Sequence, residues 1–115
     1  MNVEKWFTDG TGLPIRELRY LKAPEPPYST FIDDVTHRGA DLLNNINEHN
    51  IIIEHYSNDI DGEHEQIIDK FLIKERDNGS FNFIKSREWL QDEKLYYTTY
   101  DLTPILVKVR KEKQL

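Results

Sequence analysis

The stretch Asp61–Arg76 constrains the fold of this chain most. Its apolar residues Ile67, Ile68, Phe71 and Leu72, with Ile60 just before, recur at helical spacing, and His64 falls on the same stripe. Glu63, Glu65, Asp69, Lys70 and Lys74 read as the opposite, solvated face. Asp59 and Asp61 can each cap the helix start, and Glu63 and Glu65 put negative charge at the positive end of the dipole. Lys70, Lys74 and Arg76 load the other end, and Asp77-Asn78-Gly79 stops the helix. One apolar stripe on one long helix needs a partner surface, and the segments around it read as strands.

Three consecutive isoleucines make His49–Tyr56 a buried strand. Leu95–Leu102 alternates, with Tyr96, Thr98, Tyr100 and Leu102 on one face and Leu95, Tyr97, Thr99 and Asp101 on the other. Tyr28–Ile32 starts a third strand that can continue to a bend at Gly39, and Phe81–Lys85 marks a fourth. Gln91–Lys94 is a polar turn, and Pro104 ends the last regular strand or places it at an edge. Ala40–Glu48 fits a short helix through Leu42, Leu43 and Ile46, but its asparagines favour an extended or looped path.

Before these elements, Val3, Trp6 and Phe7 share a helical face that Asp9-Gly-Thr-Gly12 breaks, giving a short helix. Leu13–Leu21 has no clean period, although Ile15, Leu18 and Leu21 allow a turn or two of helix. Met1–Leu21 therefore reads as a weakly structured lead-in at the edge of the core. In Lys22–Pro27, three prolines in four positions fix φ and remove donors, giving a stiff lead into the first strand. The expected fold is α+β: one mostly antiparallel sheet of about four strands, one long amphipathic helix on a face, and a short N-terminal helix. The expected organisation is a single domain over 1–115, with a lead-in at 1–27, a core at 28–104 and a basic tail at 105–115.

The chain is short on chemistry. It has no Gly-rich phosphate loop, no H-E-x-x-H and no serine in an elbow context. It has no cysteine, which excludes disulfides and thiolate zinc sites. A net charge of −6 argues against gripping nucleic acid, and no apolar run approaches the length of a membrane span. These features, with a start lacking an apolar leader core, lead us to expect a soluble intracellular protein. His49 and His55, with His64 and Glu54 or Glu63, could form a metal site; the bland reading makes all four histidines, His37 included, partly exposed polar residues. Asp33-Asp34 and Asp59/Asp61 fit solvated strand ends and helix capping better than cation binding. Half of the cluster Tyr96, Tyr97 and Tyr100 reads as core; the other half could stack on bases, but the sequence supplies no basic groove. We therefore expect no catalytic residue, no cofactor and no metal.

The pattern as a whole carries a resemblance. Ala23-Pro-Glu-Pro-Pro-Tyr28 opens a strand, Asp33-Asp34 follows, then Gly39-Ala-Asp41, then Ile52-Ile-Glu-His-Tyr56 and Asp61. The helix with Glu65, Ile68 and Leu72 and the closing Glu93–Tyr100 complete it. Over about Pro24–Leu102 this is similar to the small tail-completion, or head–tail joining, proteins of long-tailed phages and prophages of Gram-positive bacteria. The segment Leu42–Glu48 and the part beyond Pro104 depart from that pattern. The resemblance implies a tail-terminator-like α+β protein that forms a ring, commonly hexameric, at the head–tail junction of the virion. Its partners would be copies of itself, tail tube and head connector, with neither nucleic acid nor membrane, and the isolated chain could be a monomer.

The residues expected at subunit or partner interfaces are the following. Asp33 and Asp34 offer an acidic patch; Leu42, Leu43 and Ile46 are apolar among asparagines. Ile105, Val107 and Val109 form an apolar strand-like segment beyond a proline, able to add to a neighbour's sheet edge. Lys108, Arg110 and Lys111 begin a basic run that is either a frayed, solvated tail or an arm for an acidic partner surface. The alternative from another class is a small regulatory or antitoxin-like module that holds one protein partner. A metal-dependent enzyme would rest on the histidines alone.

Overall fold

The longest strand is Ile46–Ser57, and every other strand of the sheet is placed through it. The computed structural model describes residues 1–38 and 46–108. The elements in chain order are α1 (Val3–Thr11), β1 (Arg16–Glu17), β2 (Tyr28–Arg38), β3 (Ile46–Ser57), α2 (Glu63–Asp77), β4 (Phe83–Leu90), β5 (Leu95–Leu102) and β6 (Ile105–Lys108). The sheet order is β1-β2-β3-β5-β4, with β6 also paired to β3. Only the β1–β2 pairing is parallel. The fold is α+β, with six strands where about four were expected. The two extra strands are the short β1 and the resumption of pairing after Pro104.

That resumption has a simple geometry. Asp101 faces Ile52 and Ile105 faces His49, so three steps along β3 match four along its partner. The extra residue is a bulge at Thr103-Pro104, which absorbs the proline's missing N–H and lets the ladder restart. Two bonds hold the bulge to the start of β4: Thr103 N–H donates to the Asn82 carbonyl at 2.8 Å, and Asn82 N–H donates to Thr103 Oγ1 at 2.9 Å.

Strand alternation sorts the residues by face. Phe31, Ile51, Ile53, Tyr100 and Leu102 point to the helices and pack with Ile68 and Leu72 of α2. Burying each such aliphatic side chain contributes about 1.5–3 kcal/mol. Ile52 points to the other face and is only half-buried.

The lead-in belongs to the core rather than to its edge. Val3, Phe7, Leu13 and Ile15 are all buried. Helix α1 continues through Gly10 to Thr11 and is closed by Gly12 at φ 73°. Gly10 is required by packing: an added Cβ would lie 2.0 Å from Cε1 of Phe71. Leu13–Leu21 contains no helix; Arg16 and Glu17 pair with Thr30 and Phe31 instead. The spacing of Ile15, Leu18 and Leu21, three apart, suggests a helical turn, but the open edge of β2 offers backbone partners that an isolated turn lacks.

Helix α2 is rotated from its expected setting. Glu65 is buried beside Ile68 and Leu72, whereas Ile60 is exposed. The N-cap is Gly62, without a side-chain cap bond, so neither Asp59 nor Asp61 fills that role. Asp61 N–H donates to Glu65 Oε1 at 3.3 Å instead. The stop at Asn78-Gly79 is as expected, with Gly79 at φ 83°. Strand β2 runs through to Arg38, and the expected bend at Gly39 lies outside the described residues, as does most of Ala40–Glu48.

Candidate functional site

The charged face of α2 lies against the edge strand β4. Helical spacing puts Asp61, Glu65 and Asp69 in one row, and strand spacing puts Lys85 and Arg87 on one face opposite them. Lys85 Nζ donates to Glu65 Oε2 at 2.7 Å and to Asp69 Oδ2 at 3.0 Å. Arg87 bonds the same Glu65 oxygen and reaches Asp61 at 3.4 Å. Tyr100 O–H donates to Asp69 Oδ1 at 2.7 Å. Burial depresses the Lys85 ammonium, but its bonds to Glu65 and Asp69 outweigh this and raise it above its ordinary value. Burial first, and then the bond to Asp69, push the Tyr100 phenol well above its ordinary range. The three carboxylates come close enough to hold a cation, but their oxygens already face two cationic side chains and a phenol. This arrangement is a structural clasp. Sequence reading assigned Glu65 and Asp69 to solvent; the signal missed was an acidic i, i+4, i+8 row facing a basic i, i+2 pair.

A second polar cluster sits at the start of α2. A cleft of about 250 Å³ is lined by Pro26, His55, Ser57, Asp59, Gly62 and His64 among others. His55 is buried, its Nδ1 lies 2.9 Å from Ser29 Oγ, and its ring centre is 6.5 Å from that of His64. Burial, with the neighbouring His64 next in weight, pulls the His55 imidazole down to about 4. His49 is also buried and lies 2.8 Å from Asp33 Oδ2. The reading of the histidines as partly exposed therefore fails for these two. Glu54 cannot join a site with His55, because successive strand residues point to opposite faces. It accepts from Thr30 Oγ1 at 3.2 Å and from the Tyr97 hydroxyl on the face away from the helices. That face carries a row of tyrosines across β2, β3 and β5: Tyr28 stacks on Tyr56 at 4.8 Å, and Tyr56 lies 5.1 Å from Tyr97.

A third feature is an arm built from β2, β3 and β6, on which the described residues among those expected at interfaces lie. Asp34, Val35, Thr36 and His37 are all exposed, so both faces of β2 are bare there. The longest dimension of the chain is 55 Å against 32 and 23 Å. Among the described residues, no strand pairs with the outer edge of β6, or with that of β2 beyond Phe31. Ile105 and Val107 share the helix-side face of β6, while Leu106 is exposed on the other. Ile105–Lys108 pairs with Ile46–His49 of its own chain, so only its outer edge is available to a neighbour. Ile46 begins β3 opposite Arg38 and Lys108, and Asp33 lies nearer the foot of the arm. Leu42, Leu43, Val109, Arg110 and Lys111 lie outside the described residues.

No helix among the described residues is long and apolar enough to cross a membrane. No known family model matches the chain, and no curated protein matches it.

Proposed function

We propose that this chain is a structural protein of a phage or prophage, which caps the tail tube and joins it to the head connector as a ring. The observation that carries the reading is the three-stranded arm, whose two outer edges pair with no strand among the described residues. Each free edge is a row of unused N–H and C=O groups that can template another strand. An edge of β6 on one copy and an edge of β2 on the next make a head-to-tail contact, which closes into a ring where the rotation allows. The order and spacing of the pieces from Pro24 to Leu102, similar to those of head–tail joining proteins, supply the biological setting. A hexamer is the ring size implied, with tail tube and connector proteins as the other partners. The polar clusters fit this role as internal supports: the clasp around Glu65 and the Ser29–His55 bond join elements to one another.

The test is electron microscopy of tails lacking this protein, before and after the purified chain is added. The reading predicts rings of uniform subunit number at one tail end. A stable one-to-one complex with a single small protein, and no rings on tails, would favour the antitoxin-like alternative instead.

A further inference from the structure

The face of the sheet turned away from α1 and α2 is covered by no helix among the described residues. Across it runs the row Tyr28, Tyr56 and Tyr97, with neighbouring rings 4.8 and 5.1 Å apart. Ile84, on β4 of the same face, is 70% exposed. Glu54 lies in the next row and is only 8% exposed. Its two oxygens accept from Thr30 and Tyr97, both neutral hydroxyls. No ion pair joins it to a cation among the described residues. Strand alternation puts Asp34, Glu88 and Asp101 on this face as well, and all three are exposed.

Two arginines border the hollows of this face. Arg87 lies beside Glu88 and Tyr97, but its guanidinium bonds Glu65 and Asp61 on the helix side. Arg19 flanks the groove by Tyr28, which Glu93 also lines. Neither answers Glu54. Burial first, and then the Glu54 carboxylate, push the Tyr56 phenol up to about 12 and raise that of Tyr97, and no cation lowers either. A buried carboxylate held by neutral groups alone, among tyrosine rings, is an environment that an added cation stabilises.

We propose that this face docks against a basic, arginine- or lysine-bearing surface of the tail tube. The proposal rests on the ring reading and names the contact that the ring makes with a different protein. Charge complementarity selects this occupant, since the same face of a second copy would set like charges against one another. Contacts between copies use strand edges and leave the face free. Tyrosine and arginine are also the side chains most enriched at the centres of interfaces, where packing excludes water. Glu54 and the tyrosines supply that centre; Asp34, Glu88 and Asp101 supply a rim that steers approach.

Purified tails lacking this protein are the probe, with purified heads as a second one, and binding of the full chain is measured in about 0.1 M salt. Glu88→Lys with Asp101→Lys reverses two exposed charges of the face. Asp9→Lys with Asp77→Lys makes the same change in net charge at exposed positions on the helices. Thermal melts check the fold; if the lysine pair alters the melt, Glu88→Gln with Asp101→Asn is read instead. The face variant should bind tails about tenfold more weakly than the unaltered chain, and the helix variant within about twofold of it. The difference should shrink in about 1 M salt, where the Debye length is about 3 Å. Equal binding by all three chains, or equal losses in the two variants, leaves the ring reading standing and the face assignment wrong. Binding through this face to heads alone overturns the tube as its occupant. An unaltered chain that binds neither tails nor heads removes both readings.

Discussion

Glu65, with its side chain 1% exposed, lies 2.7 Å from Lys85 Nζ and so ties the first turn of α2 to the edge strand β4. Arg87 shares the same oxygen, so either cation partly covers the loss of the other. We expect Lys85→Ala and Arg87→Ala each to destabilise modestly. The double variant leaves Glu65 without a cationic partner in this clasp and should lose about 3–5 kcal/mol, more than the two single losses added together. Urea denaturation of the four proteins measures this. Additive losses would mean that the two cations do not share Glu65.

The pH dependence of stability should reveal His55. Its imidazole titrates near 6.5 in the unfolded chain and at about 4 in the folded one. The native state therefore favours the neutral form. This contribution is fully present above about pH 6.5 and is lost as pH falls towards 4, to a total of about 3 kcal/mol. A His55→Gln variant should be less stable at pH 7 and should show a flatter decline between those values. Parallel stability curves for the two proteins would contradict the assignment.

Gly10 offers a test of packing against propensity. Alanine is the better helix former by about 1 kcal/mol. Here its Cβ would meet the ring of Phe71, which also packs on Trp6 at 4.9 Å and on Phe7 at 6.2 Å. Gly10→Ala should destabilise by about 1–3 kcal/mol. Combining it with Phe71→Leu should cost less than the two changes summed. A stabilising Gly10→Ala would show that α1 does not press on α2 at this point.

These residues also show what was legible beforehand. The strands Tyr28–Ile32, His49–Tyr56 and Leu95–Leu102 declared themselves through alternation and β-branched runs, which are local signals. The end of α2 was readable because glycine with positive φ is a local requirement. The rotation of α2 was not, since a buried Glu65 is tolerable only where Lys85 and Arg87 arrive from twenty residues away or more. Strand β1 and the pairing of β6 with β3 were missed for the same reason: each strand is short and held by a partner distant in sequence. Of the residues expected at interfaces, the sequence placed Ile105 and Val107 in a strand-like segment, but it could not show that one edge of that strand is already taken.

Metal addition should leave the fold unchanged. The row Asp61, Glu65 and Asp69 is held by Lys85, Arg87 and Tyr100, and a cation would have to displace them. Thermal melts with zinc, with manganese and with chelator should coincide. A native-state ligand at a hundred times its Kd would add about 2.7 kcal/mol, so an upshift of that size would revive a metal-dependent reading.

The central claim is that the chain acts by joining tails to heads, and deletion tests it most directly. Its coding sequence is removed from the phage or prophage that carries it, and the lysate is imaged and titred. The account predicts filled heads and complete tails lying apart, few infectious particles, and recovery of joined virions when the full chain is supplied in trans. Normal numbers of joined, infectious particles without the protein would contradict it.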